Sequence, residues 1–181
     1  MKKILIITLL LTAFTAITTS QVRRVTPNKP YLILNSRPGY ITINEFTSGF
    51  GLSGTYSPYS KYYFGFTTIH GYQVDQNFAF GAGTGLSYYN DGILIPLFVD
   101  MRYRFIINTL TFYAFGDAGF LFSPDDLNKE TRIFLNAGPG IRLAINSKFA
   151  LNVSPGIMTQ MGPTSRASFL NFRIGVTFKP S

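Results

Sequence analysis

Between Leu170 and Phe178 the chain sets Leu, Phe, Ile, Val and Phe at every second position and Asn, Arg, Gly and Thr between them. A period of two sends alternate side chains to opposite faces of a strand, so a segment of this kind separates two different media. The same pattern recurs along the chain and predicts eight strands, near residues 40–51, 62–74, 77–89, 93–106, 110–122, 131–144, 149–161 and 168–178. Hydrophobic residues make up 46% of the sequence and charged residues 13%, about half the charge usual for a water-soluble domain. No apolar run beyond residue 20 approaches the roughly 20 residues a spanning helix requires. A closed barrel reconciles these facts, because it pairs every backbone N–H and C=O between strands and can therefore sit in lipid. The predicted fold is all-β: an antiparallel up-and-down transmembrane β-barrel of about eight strands over residues 39–181.

The segment ahead of the strands has its own logic. Met1-Lys2-Lys3 is a basic start, Ile4 to Ile17 is apolar apart from threonines, and Thr18-Thr19-Ser20 supplies small residues. This is the pattern of a cleaved secretory signal peptide over residues 1–20. Residues 21–38 contain three prolines and no alternation, which predicts a periplasmic linker or arm. The chain has no cysteine, so an exported fold must be stable without disulfides. The formal charge of +8 is concentrated early: Lys2, Lys3, Arg23, Arg24, Lys29 and Arg37 leave only +2 on residues 39–181. That distribution argues against nucleic acid as a partner.

Facing distinguishes a membrane barrel from a soluble lipid carrier. In the fourth strand Asp100, Arg102 and Arg104 share one parity, and Ile95, Leu97, Val99, Met101, Tyr103 and Phe105 the other. The polar faces of later strands use Gly, Asn, Ser, Thr and Arg rather than the many Lys and Glu of a water-facing exterior, which suits a crowded interior. Connections of differing length suggest short turns at one rim and longer loops at the other. Aromatics near strand ends, among them Tyr62, Tyr63, Phe64, Tyr72, Tyr88, Tyr89, Phe105, Phe122, Phe169 and Phe178, suit interfacial girdles. In the first strand Thr42 and Asn44 disagree with Glu45 about which face is polar, which predicts a bulge or register change there. Pro139 and Pro155 predict local irregularities.

The runs Ile95–Phe105, Lys148–Gly156 and Phe172–Phe178 resemble the outer-membrane β-barrel domain family of small porin-like proteins, similar in plan to the OmpA transmembrane domain and OmpX. The resemblance covers residues 39–181 and implies an outer-membrane location, contact with outer-membrane lipids, and handling by the barrel assembly machinery during biogenesis. Family members commonly end on an aromatic residue; here Phe178 is followed by Lys179-Pro180-Ser181.

No catalytic constellation stands out, and no cofactor or metal is expected. His70 is the sole histidine, with Thr67 and Thr68 as the nearest hydroxyls, and a nucleophilic site would need it beside an activated hydroxyl and an acid. Gly81-Ala82-Gly83-Thr84-Gly85 lacks the spacing and strand-to-helix setting of a nucleotide loop. Asp125, Asp126, Asn128 and Glu130 form an oxygen-rich loop without calcium-loop spacing. Asn152-Val153-Ser154 fits a glycosylation sequon inside a predicted strand. The informative polar set is Glu45, Asp100, Arg102, Arg104, Asp117, Arg132, Arg142 and Arg173, which converge in the lumen if the facing is right. An eight-stranded barrel has an interior just wide enough to be filled by side chains, which predicts a packed charge network in a monomer with a structural or surface-interaction role. The arginine excess leaves open a narrow porin-like channel, and His70 leaves open a lipid-modifying enzyme.

Overall fold

The computed structural model describes residues 37–52, 58–107, 110–124, 131–162 and 165–180. The expected signal peptide, all but the end of the arm, residues 108–109 and the Asp125, Asp126, Asn128 and Glu130 loop lie outside the described residues. Eight strands follow one another: β1 (Gly39–Gly51), β2 (Tyr62–Gln73), β3 (Phe78–Tyr89), β4 (Gly92–Ile107), β5 (Leu110–Phe122), β6 (Arg132–Ala144), β7 (Phe149–Met161) and β8 (Arg166–Phe178). Each pairs antiparallel with its sequence neighbours and β8 pairs with β1, closing a barrel. No helix long and apolar enough to cross a membrane occurs among the described residues.

Register fixes the barrel's shape. Starting at Tyr40, successive cross-strand partners Tyr72, Phe80, Met101, Gly116, Ala137, Ile157 and Leu170 lead back to β1 at Phe50, a stagger of 10 residues. With a rise of about 3.3 Å per residue and about 4.8 Å between strands, that stagger tilts the strands roughly 40° from the axis. Each residue then advances about 2.5 Å along the axis, so a strand of 13 residues such as β1 covers the apolar band of about 25 Å that a bilayer presents.

The expected bulge in the first strands is absent. β1 and β2 pair in one unbroken register from Gly39 opposite Gln73 to Phe50 opposite Tyr62. The conflict resolves differently: Glu45 points inward with Ile41 and Ile43, while Thr42 and Asn44 point outward. The prolines do not add a residue either. The β6–β7 register is the same on both sides of Pro139 and Pro155 and sets the two prolines opposite each other. Two residues without an N–H share a single gap in the ladder, which limits the lost hydrogen bonds to one place.

Two described turns repeat one solution. Asp75 Oδ1 accepts the backbone N–H groups of Asn77 and Phe78, both at 2.7 Å, and Asn146 Oδ1 accepts those of Lys148 and Phe149, both at 2.8 Å. A side-chain oxygen that closes the turn in this way is why Asp and Asn occupy these positions. The N–H groups of Phe78 and Asn77 also hold the Asp75 carboxyl below the usual carboxylate range. Inside the barrel, rings lie over glycines on the adjacent strand. Tyr63 faces Gly49, Phe98 faces Gly83 and Tyr113 faces Gly140, and a methyl group added at those glycines would sit 2.0, 2.4 and 2.3 Å from the ring atoms. The missing side chains make the space that the rings fill.

Candidate functional site

The lumen holds an ion-pair network at mid-height. Glu45 on β1 accepts two bonds from Arg102 on β4, Nη1 to Oε1 at 2.9 Å and Nη2 to Oε2 at 3.0 Å. Arg102 Nε also reaches both Asp100 oxygens at 3.0 Å. From β8, Arg173 Nη1 donates to Asp117 Oδ2 at 2.9 Å and to Glu45 Oε2 at 3.3 Å. All five residues are buried, with Arg102 and Glu45 at 1% exposure. Removing so many charges from water is costly unless each carboxylate meets a guanidinium with good geometry, and the forked Arg102–Glu45 pair supplies that geometry.

Neutral side chains extend the network. Asn136 donates to Asp117 Oδ2 at 3.1 Å and accepts from Asn171 at 2.9 Å. The guanidinium of Arg173 lies 3.6 Å from the Phe115 ring centroid, and those of Arg102 and Arg142 lie 5.6 and 5.8 Å from that of Tyr113. Such cation–π contacts help hold a desolvated cation.

The eight residues singled out in the sequence therefore divide. Glu45, Asp100, Arg102, Asp117 and Arg173 form one cluster. Arg142 stands beside it and makes no ion pair among the described residues, donating instead to Asn152 Oδ1 at 2.9 Å and Thr177 Oγ1 at 3.3 Å. Arg104 lies toward the turn end, bonded to Gln73 at 3.1 Å and to the Asp75 carbonyl at 3.3 Å. Arg132 is at the opposite mouth, over the Tyr59 ring at 4.8 Å and 3.0 Å from Ser165 Oγ.

The loop-side half of the lumen is aromatic, and here the sequence reading needs correction. Tyr63, Tyr89 and Phe169, expected in the exterior girdles, point inward and are buried. Tyr63 stacks on Tyr89 at 5.0 Å and meets Phe169 edge-on at 5.3 Å. Phe98, Phe134, Leu94, Leu121 and Met158 belong to the same buried cluster. Parity along β2, β3 and β8 assigns these rings to the inner face; their position at strand ends obscured it. Tyr59, with a left-handed φ of 59°, caps the mouth. Its N–H donates to Asp91 at 2.8 Å, and its carbonyl accepts from Gln160 at 2.6 Å. Between the aromatic and ionic layers lies a cavity of about 40 Å³ bordered by Asp117, Asn136 and Arg173, room for a few waters and no more.

Outside, the facing is inverted relative to a soluble protein. Phe46, Leu97, Val99, Met101, Leu135, Ile157 and Ile174 are all more than half exposed, an extensive apolar surface that water would not tolerate on this scale. Tyr40, Tyr72, Tyr103 and Phe105 flank it at the turn end, and Phe50, Tyr62 and Tyr88 at the other, where amphipathic rings meet lipid headgroups.

No protein-family model and no curated protein matches the sequence. Among solved structures the chain is similar to Neisserial surface protein A, with 14% identity and a TM-score of 0.57 over 78% of this chain and 96% of that one. It is also similar to the outer membrane protein OprG from Pseudomonas aeruginosa, with 11% identity and a TM-score of 0.51 over 81% and 98%. The fold is that of an outer-membrane β-barrel. An outer-membrane barrel of this kind meets hydrocarbon with its apolar belt, and its charged residues face a lumen of its own making.

Proposed function

We propose that this protein is an outer-membrane barrel with a packed lumen, serving the envelope as a structural or surface-interaction element and not as a conduit. The observation that carries the reading is the pair of packed layers, the Glu45–Arg102–Asp100 and Asp117–Arg173 ion pairs beneath the Tyr63–Tyr89–Phe169 cluster, with about 40 Å³ between them. An aqueous pore requires a wider barrel, commonly 16 to 18 strands. Outer-membrane lipids contact the belt, and the barrel assembly machinery inserts it. His70 faces outward with Thr68 Oγ1 at 3.5 Å and the Tyr40 hydroxyl on its ring; among the described residues no carboxylate joins that group to complete a catalytic triad.

Cell fractionation and solute retention test this proposal together. The protein is expected in the outer-membrane fraction, migrating faster on unboiled than on boiled gels, and liposomes carrying it are expected to retain small sugars. Recovery in the soluble fraction without a heat-dependent shift overturns the membrane reading, and rapid sugar leakage overturns the packed lumen.

A further inference from the structure

The belt is not apolar all the way round. Asn44 on β1, Thr68 on β2 and Thr84 on β3 are direct cross-strand partners and point outward. One step toward the turn end, Thr42 pairs with His70. All three members of the upper row sit midway along strands of 12 to 13 residues, where hydrocarbon surrounds the barrel. At the equivalent depth the other strands present Val99, Gly116, Ala137, Pro155 and Ile174. His70 is held by Tyr40 and Thr68, but the exposed Asn44 amide has no hydrogen-bond partner among the described residues. A polar group left unpaired in hydrocarbon is unfavourable because no water is there to hydrogen-bond it, so uncharged polar residues at this depth favour an occupant that offers hydrogen bonds there.

Lipid does not meet that requirement. Acyl chains carry no donors or acceptors, headgroups lie at the two rims, and the outward positions of β1–β3 contain no Lys or Arg to draw a phosphate inward. A second copy of the chain meets it by symmetry. Inserted in the same orientation, it places its own Asn44, Thr68 and Thr84 at the same depth. An amide and two hydroxyls each donate and accept, so the row complements itself across a two-fold axis, and no like charges oppose the approach. The neighbouring surface fits the same partner. Phe46 is the most exposed large apolar residue among the described residues, at 68%, and lines an exterior groove of about 560 Å³ with Ser48, Gly65, Phe64, Leu86 and Tyr88, so the same face that carries the polar row also offers an apolar surface for a second copy to cover.

We propose that two copies of this chain associate side by side in the bilayer through the outward face of β1–β3, with Asn44, Thr68 and Thr84 hydrogen-bonded across the two-fold axis. The inference rests on the membrane reading above and replaces the monomer expected from sequence.

Because the chain has no cysteine, single replacements give clean cross-links. Asn44→Cys, refolded into liposomes and oxidised, is expected to form a reducible species of twice the mass at least tenfold more than Ala137→Cys, which lies midway along β6 on another side of the barrel. In the double variant Asn44→Leu, Thr68→Val, energy transfer between donor- and acceptor-labelled copies is expected to show at least tenfold weaker association while the heat-dependent gel shift persists. Equal cross-linking of Asn44→Cys and Ala137→Cys in folded protein overturns the proposal, as does unchanged energy transfer in the double variant. An Asn44→Cys adduct of another mass in native membranes also overturns it, in favour of a different protein. Loss of the heat-dependent shift in the unmodified chain signals instead that the membrane reading has failed.

Discussion

Arg102 connects Glu45 and Asp100, and its removal leaves Asp100 without its arginine and Glu45 with only the longer contact to Arg173 at 3.3 Å. Arg102→Leu leaves Glu45 and Asp100 buried without their principal counter-charge and is expected to cost about 3–5 kcal/mol in urea titrations of refolded protein. Arg142→Leu removes hydrogen bonds to neutral partners and is expected to cost less, about 1–3 kcal/mol. The reverse order would mean that the network is not paired as described. Lys179 carries a separate pH signature. Just past β8 it is buried, its ammonium donating to the Arg37 carbonyl, and burial with Arg104 and Arg142 nearby pushes it from 10.5 down to about 8. Between those values the unfolded chain binds more protons than the folded one, so stability rises with pH from about 8 to 10.5. Lys179→Met is expected to flatten that rise in denaturation midpoints measured across the window. At this scale parity pointed to an inward face for the charges of β4 to β8, whereas the facing of Glu45 was hidden, because Thr42 and Asn44 make the other face of β1 polar as well. Partnership was hidden, because which arginine meets which carboxylate depends on a stagger that no local pattern encodes.

Elements were the most legible level, since a period of two survives any uncertainty in pairing. Every strand lies within about two residues of its predicted bounds. What misled was β1, where polar residues on both faces imitate a bulge, and the inward rings of Tyr63, Tyr89 and Phe169, which sit at strand ends just as girdle residues do. The ring-over-glycine contacts supply a prediction at this scale. Gly140→Ala forces its methyl against Tyr113 and is expected to cost about 1–3 kcal/mol, whereas Gly116→Ala, outward with nothing within 4 Å, should be nearly neutral; equal effects in the same titration would refute the packing. Depth supplies another. Val99, midway along β4, meets hydrocarbon, so Val99→Arg is expected to cost about 2–4 kcal/mol, while Ile141→Arg, close to the turn end of β6, should cost about 0–1 kcal/mol. A soluble barrel would tolerate both arginines, and refolding yields into liposomes would show it.

The whole molecule is a barrel whose narrow bore, fixed by eight strands and a stagger of 10, is occupied by its own side chains. Ionic pairing closes the middle, stacked rings close the loop-side half and Tyr59 covers the mouth. That division of labour explains why a lumen rich in arginine need not conduct: each cation is committed to a carboxylate, an amide, a hydroxyl or a ring. Conductance across planar bilayers tests this most directly. Refolded protein confirmed as inserted is predicted to give no steady single-channel current at moderate voltage. A stable current whose ion selectivity shifts in Arg102→Leu without loss of folding stability would contradict the account, because water would then be screening the charges that the packed lumen requires to pair.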